Sequence, residues 1–403
     1  MALTRRGALG SAGALAAAWA TGARADEVYR AEVPFNLRDD QPLTAVRING
    51  QGPFTFLIDT GATGICLKRS IGARLRLPVV AEARAQGAVG RTGTVPVFQA
   101  EDVFVAGGLS EPHSYIFASD ALEGSRVDGL FPFAGNVTEL GMDFDRQRFI
   151  LDRRPPDSRD GFDRIAAEMR QPSGVRGGMQ SYVDPRARVA VTFDGRPANL
   201  LVDTGAQGGL FLKPDFVSAQ NLWDHYPRRQ DTANMGMAGP FRTRFVIAEE
   251  FRIGRFRFQA PPVTLGHPDD SGRDGWGGAD GLIGMEILRR MNFFLRPRDD
   301  SMWLKASGHI GDTWRFDRSG LDLRWANERV EVVTVRSGSS ADAAGLREGD
   351  VIVASSAGGG AYEALVWALK DEPGTVIRMA VERDGSRREL ELTLGNGFDT
   401  PAS

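Results

Sequence analysis

A ten-residue stretch built around Asp-Thr-Gly occurs twice in this chain, and no other feature constrains its fold as strongly. Pro53-Phe54-Thr55-Phe56-Leu57-Ile58-Asp59-Thr60-Gly61-Ala62 returns as Pro197-Ala198-Asn199-Leu200-Leu201-Val202-Asp203-Thr204-Gly205-Ala206. Each copy is preceded by an alternating run and a glycine turn, Val46-Arg47-Ile48-Asn49-Gly50 and Val191-Thr192-Phe193-Asp194-Gly195. Each is followed by Leu-Lys, at Leu67-Lys68 and Leu212-Lys213. A second block repeats in the same order: Val127-Asp128-Gly129-Leu130-Phe131 after the first aspartate, and Ala279-Asp280-Gly281-Leu282-Ile283-Gly284 after the second. Strand-like segments then close each unit, Arg148-Phe149-Ile150-Leu151 and Ser301-Met302-Trp303-Leu304. Repetition of both order and spacing implies two homologous lobes, residues 26–155 and 175–308. Between them, 156–174 is expected to be a linker, rich in Arg, Pro, Gly and Asp, with a short helix at Phe162–Met169. The 49 glycines and 21 prolines fall between short Val/Leu/Ile/Phe runs, as turns fall between strands, so the chain is expected to be mainly β.

One Asp-Thr-Gly alone implies little, because Asp and Thr at a strand end cap turns through local hydrogen bonds. A matched pair implies more. An apolar strand running into Asp-Thr-Gly delivers a carboxylate at its end, and glycine lets the backbone turn sharply and approach a neighbour closely. Two such turns facing each other would place Asp59 and Asp203 a few ångströms apart, where both cannot ionise comfortably and one proton is shared. The ionised member can then take a proton from water while the protonated member polarises a peptide carbonyl. That chemistry needs no covalent intermediate, metal or cofactor, and none is expected. The histidines, His113, His225, His267 and His309, are scattered without metal-ligand spacing, and the single cysteine, Cys66, sits in an apolar run that suits a small buried side chain.

The two halves resemble retropepsin-type aspartic peptidase lobes fused in tandem, as in the bacterial aspartyl proteases related to the pepsin and retroviral classes. The resemblance spans most of residues 40–305. It implies two acid-protease β-barrel lobes, catalytic roles for Asp59 and Asp203, hydrogen bonding beneath the dyad by Thr60 and Thr204, and sharp turns at Gly61 and Gly205. The family threads the aspartate-bearing strand past a hydrophobic-hydrophobic-glycine segment, matched by Leu282-Ile283-Gly284. In lobe one the same place holds Leu130-Phe131-Pro132, and a proline there fixes φ and removes an N–H donor. Flap hairpins over the cleft would correspond to Gln86–Gly93 and Asn234–Gly239.

Beyond lobe two, Gly320-Leu321-Asp322-Leu323, Val330–Val335, Gly338-Ser339-Ser340-Ala341, Ala344-Gly345-Leu346 and Gly349-Asp350-Val351-Ile352 follow one another in an order that resembles bacterial PDZ domains. The resemblance implies an α/β module over 317–396, with a helix at Ala361–Lys370, a final hairpin of Val376–Arg383 and Glu389–Leu394, and peptide capture as an added strand. The loop that binds a terminal carboxylate would be Gly320-Leu321-Asp322-Leu323. Asp322 stands where the family usually has glycine.

At the start, Thr4-Arg5-Arg6-Gly7-Ala8-Leu9, a brief Ala/Leu/Gly stretch and Ala23-Arg24-Ala25 follow the grammar of a twin-arginine signal peptide over residues 1–25. A periplasmic or secreted bacterial protein is therefore expected, with no membrane span after cleavage. The 49 basic and 52 acidic side chains nearly balance, and no long like-charged run points to nucleic acid. The expected protein is an aspartic endopeptidase acting on polypeptide, its PDZ-like module recruiting or regulating substrate. With both lobes in one chain, a monomer holds a complete dyad. The residues leave one alternative open, a catalytically inactive protease-fold protein whose PDZ groove binds peptide; Pro132 favours it and two intact Asp-Thr-Gly triplets oppose it.

Overall fold

Two hairpins set the frame. Gln41–Ile48 pairs antiparallel with Gln51–Ile58 across Asn49-Gly50, and Arg188–Phe193 pairs with Arg196–Val202 across Asp194-Gly195. All four turn residues take positive φ, between 44° and 74°, the conformation that Asn-Gly and Asp-Gly supply to a two-residue hairpin. These strands belong to a computed structural model that describes residues 30–398 apart from 87–91, 107, 124, 133–137, 170–174, 177–178, 181–185, 237–238, 271–277, 327–328 and 359–361. The expected signal peptide lies outside the described residues.

The chain is mostly β, with one strand arrangement present twice in tandem. In lobe one the strands lie in the order Gln41–Ile48, Gln51–Ile58, Gly129–Phe131, Cys66–Lys68, Leu109–Ser119, Thr92–Val105, Val79–Gln86. In lobe two, Arg188–Phe193, Arg196–Val202, Gly281–Ile283, Leu210–Leu212, Pro262–Gly266, Gly239–Ile247 and Arg229–Gly236 repeat that order. Lobe one also curls back on itself, because Val46, Arg47 and Ile48 pair with Val105, Phe104 and Val103. Its interior holds Ile48, Phe56, Ile58, Leu67 and Phe131, all fully buried. Each such side chain contributes about 1.5–3 kcal/mol of hydrophobic stabilisation.

The closing strands of the two lobes join. Glu139–Asp143 pairs antiparallel with Met291–Arg296, bringing Gly141 opposite Phe294; a Cβ on Gly141 would lie 2.2 Å from the Phe294 ring. Arg30–Pro34 flanks Arg148–Asp152 on one side of this joint, and Asp163–Glu168 flanks Ser301–Ala306 on the other. The helix expected at Phe162–Met169 is thus a strand, and the expected linker 156–174 contains part of the sheet. The physical reason is that Ser301–Ala306 presents an open edge whose backbone groups need partners, and pairing of Asp163 with Leu304 and of Ile165 with Met302 satisfies them. Local propensity yields to that tertiary demand.

The chain divides into two compact units, one carrying both lobes up to Asp312 and the other comprising 313–403 with 224–231 and 245–247. In the second unit, Leu321–Ala326, Arg329–Val335, Val351–Ser355, Val376–Arg383 and Ser386–Thr393 form an antiparallel sheet in chain order. Short helices Ser340–Ala343 and Tyr362–Ala368 accompany it, over a core that includes Val332, Leu346, Ile352, Leu365, Ile377 and Leu392. The first helix begins at Ser339, whose hydroxyl accepts from the Asp342 amide as an N-cap. Asp350, fully buried, accepts two bonds from Arg383, at 2.6 and 2.7 Å, which pins the Gly349-Asp350 turn to the final hairpin. No helix among the described residues is long and apolar enough to cross a membrane.

Candidate active site

Both aspartates sit at the ends of strands held in the middle of their sheets. Phe56, Leu57 and Ile58 run parallel to Gly129, Leu130 and Phe131, and the Asp59 amide donates to the Phe131 carbonyl at 2.8 Å. Leu200, Leu201 and Val202 run parallel to Gly281, Leu282 and Ile283, and the Asp203 amide donates to the Ile283 carbonyl at 3.1 Å.

After each aspartate the turn folds back so that its own amides cradle the carboxylate. Gly61 and Ala62 donate to Asp59 Oδ1 at 2.9 and 3.0 Å; Gly205 and Ala206 donate to Asp203 Oδ1 at 2.9 and 3.2 Å. Beneath, the threonines cross over. The Thr60 amide donates to Thr204 Oγ1 and the Thr204 amide to Thr60 Oγ1, both at 3.0 Å. Each hydroxyl then donates to the opposite strand, Thr60 to the Val202 carbonyl and Thr204 to the Ile58 carbonyl, both at 2.7 Å. Four buried bonds therefore tie the two lobes together directly under the carboxylates.

Gly61 and Gly205 have a second reason to be glycine. A Cβ on Gly61 would lie 2.4 Å from Asp203 Cγ, and a Cβ on Gly205 would lie 2.4 Å from Asp59 Cγ. Each carboxyl packs against the backbone of the other lobe's turn, which brings the two acids together and hydrogen-bonds them to each other. Asp59 is 9% exposed. Burial first, and then the Asp203 charge, hold the Asp59 carboxyl well above the usual carboxylate range. Burial also raises Asp203, but the amides of Gly205 and Ala206, the hydrogen bond from Asp59 and the charge of Arg186 pull it back. The pair therefore shares one proton, which burial and mutual repulsion keep in place above the pH at which a free carboxyl would lose it.

Some positioning residues were not singled out by sequence as part of the site. Asp128 and Asp280, from the second repeated block, brace the aspartate strands: Thr55 donates to Asp128 Oδ2 at 3.0 Å, and Asn199 donates to Asp280 Oδ2 at 2.9 Å. Their repetition was the available signal. A buried charge cluster beside lobe two had no comparable signal. Arg289 meets Glu286 at 3.2 Å, Asp312 at 2.5 Å and, in lobe one, Asp40 at 3.4 Å, while Arg290 meets Glu286 at 3.0 Å.

The Pro132 departure leaves the dyad symmetric. In lobe two, Gly284 donates to the Gly209 carbonyl at 2.7 Å, and Met285–Leu288 forms a helical turn. Pro132 has no N–H for such a bond, yet the Phe131 carbonyl still receives the Asp59 amide. Cys66 stands near Asp59, and burial pushes its thiol up to about 12, which leaves it protonated and unreactive. Among the described residues, no group of three or more His, Cys, Asp and Glu side chains is arranged to hold a metal ion. The expected flap tips fall on 87–91 and 237–238, outside the described residues.

In the C-terminal unit, two amides of the loop expected to capture a terminal carboxylate are bonded within the chain. Gly320, at φ +78°, donates its amide to Asp317 Oδ2 at 3.0 Å, and the Leu321 amide goes to the Ser319 hydroxyl at 3.1 Å. Asp322 pairs with Arg336 at 2.7 Å, and the Leu323 carbonyl accepts from the Tyr362 hydroxyl at 3.4 Å.

The sequence model of the aspartyl protease family matches this chain in two regions, residues 44–144 and 189–287. Each region holds one Asp-Thr-Gly turn and its bracing aspartate. No curated protein matches the chain.

Proposed function

We propose, from two aspartyl-protease regions that bring one carboxylate each to a shared centre, that the chain is an aspartic endopeptidase whose catalytic residues are Asp59 and Asp203. The observation that carries this reading is the reciprocal packing of each carboxyl on the other lobe's glycine. In the proposed step, the ionised member of the Asp59–Asp203 pair accepts a proton from water as the water attacks a peptide carbonyl, and the protonated member donates its proton to the carbonyl oxygen. A tetrahedral diol results. Its collapse passes a proton to the leaving nitrogen and restores the carboxyl pair, so that one water is consumed per bond cleaved.

Thr60, Thr204, Gly61 and Gly205 act as positioning residues. They hold two like groups at a separation that charge repulsion alone would widen. Extended polypeptide is the substrate class, because a site built from strand ends offers backbone partners to a β-form chain. The unit from 317 to 396 is proposed as a PDZ-like module that recruits or regulates substrate, and the amino-terminal basic and apolar run as a signal for export to the periplasm. Catalysis is favoured over an inactive peptide-binding protein because the amide cradles and threonine bonds around the two aspartates agree within 0.2 Å despite Pro132.

The test is cleavage of casein from pH 3 to 8 by the unsubstituted chain and by Asp59→Asn and Asp203→Asn. Loss of cleavage in both variants is expected. Cleavage indifferent to both substitutions, or absent from the unsubstituted protein at every pH, overturns the reading.

A further inference from the structure

The amides at the entrance to strand Leu321–Ala326 are already occupied by the chain itself. Asp317 accepts from the backbone of Ser319 at 3.2 Å and of Gly320 at 3.0 Å, and from the Ser319 hydroxyl at 2.6 Å. That hydroxyl in turn accepts from the Leu321 amide. The loop is also held in shape: a Cβ on Gly320 would lie 2.3 Å from the Ser339 side chain. Backbone N–H groups of this kind attract an anion, and here Asp317 fills the place of one.

A second carboxylate stands beside it. Asp322 and Asp317 share the guanidinium of Arg336, at 2.7 and 3.4 Å, and the other oxygen of Asp322 has no partner among the described residues. A polypeptide terminus arriving here would add a third carboxylate to one guanidinium, with two of the amides already bonded. A cationic side chain would instead find an open acceptor.

Past the loop, Leu321–Ala326 pairs, among the described residues, with Arg329–Val335 alone and stands at the edge of its sheet. The Leu323 carbonyl accepts a long bond from the Tyr362 hydroxyl, at 3.4 Å. Trp325 is 44% exposed, with its ring centroid 6.3 Å from that of Tyr362. An open edge with an aromatic wall and an anionic end suits strand addition, in which main-chain bonds supply affinity and side-chain sites supply choice.

We propose that this edge takes an internal segment of polypeptide as an added strand, with a Lys or Arg against Asp322 and an apolar side chain against Trp325 and Tyr362, and that it excludes a chain terminus. The inference rests on the C-terminal unit recruiting polypeptide, and names the kind of segment recruited. Asp322 and Trp325 are three residues apart, about 10 Å along a strand, which sets the spacing of the two recognised side chains.

The test uses the full chain carrying D59N and D203N, so that probes survive, and reads fluorescence anisotropy. The probe is a labelled, end-blocked decapeptide with a central lysine and a phenylalanine three residues to either side. Exchanging the probe lysine for glutamate is expected to weaken binding at least about tenfold, as loss of a paired charge does. Asp322→Asn should remove most of that discrimination, Trp325→Ala should weaken both probes, and freeing the probe's carboxyl terminus should not tighten binding. Tenfold tighter binding of the free acid, indifference to the probe's charge, or binding unaffected by both substitutions overturns the proposal, as does no binding of the blocked probe. The comparison of the two probes needs no protein variant, so it stands even where a substitution harms folding. Loss of casein cleavage in D59N and D203N reports on the dyad, whereas probe binding is read in a chain whose dyad is already removed, so failure there and failure here are separable.

Discussion

Lobe one and lobe two present nearly the same hydrogen bonds to their aspartates while supporting them differently. In lobe two, the Asp203 strand runs beside Gly281-Leu282-Ile283-Gly284, and the following turn of helix is anchored by the buried Glu286, Arg289 and Arg290. In lobe one, Gly129-Leu130-Phe131 runs into Pro132, and the ion pair of Lys68 with Asp128, at 3.0 Å, braces the strand from the other side. Lobe two shows no counterpart of that pair among its described residues. What both share is the turn that touches the other lobe. The dyad's geometry is therefore set by contact between the lobes, and each lobe reaches that contact by its own packing.

The largest break in this symmetry comes from charge. Asp59→Asn and Asp203→Asn should each lower kcat for casein cleavage by about 10³-fold or more, in the range of lost acid–base catalysis, and the double variant should be no worse than either single one because the two act as a unit. Additive losses would show that they act apart.

Next is the lobe-two anchor. Arg289→Met should destabilise the chain by about 3–5 kcal/mol in denaturant unfolding, since removing one partner of a buried ion cluster strands the others. A change below about 1 kcal/mol, the range of a surface pair, would show that the cluster is solvated.

Gly61→Ala and Gly205→Ala test the contact between lobes. A Cβ 2.4 Å from the opposite carboxyl must displace it. A displacement near 1 Å costs about 10²-fold in rate, and the two variants should lose activity equally. Unequal losses would mean that one lobe yields and the other does not.

The pH dependence has a definite sign. A carboxyl whose folded pKa lies above its unfolded value contributes stability in full below the unfolded value, and loses it as pH rises through the folded one. Asp59 is raised well above 3.8, so the melting temperature should fall as pH rises from about 4 through that raised value. Asp59→Asn removes the ionisation and should flatten this fall. A variant whose slope matches the unsubstituted protein would place the cause elsewhere.

The smallest effect is expected at Pro132. Pro132→Gly should change casein cleavage by less than about threefold and lower stability by about 1 kcal/mol or less, through greater freedom of the unfolded chain. A tenfold gain in activity would show instead that the proline distorts lobe one.

Much of the site was legible because repetition marks it. The paired triplets, the glycine turns before them and the block around Asp128 and Asp280 all repeat, and each proves to be a part of the same local device. Phe162–Met169 was misread as helix because its pairing partner, Ser301–Ala306, lies more than 130 residues away in sequence. Asp317 was invisible as a loop ligand for a different reason. Its carboxylate takes the Gly320 amide, the first of the loop that the PDZ resemblance reserves for another anion, together with that of Ser319 just before it, and only the folded loop brings them within reach.

By itself the sequence determined that two copies of one strand-turn unit exist, each ending an apolar strand in a carboxylate, because strand and turn are dictated by near neighbours. Tertiary structure decided that Gly61 faces Asp203 and Gly205 faces Asp59, that the threonines cross, and that the two carboxyls are raised together. Those properties arise from groups brought together from residues 144 positions apart, where burial and mutual repulsion, and not local preference, set the energy.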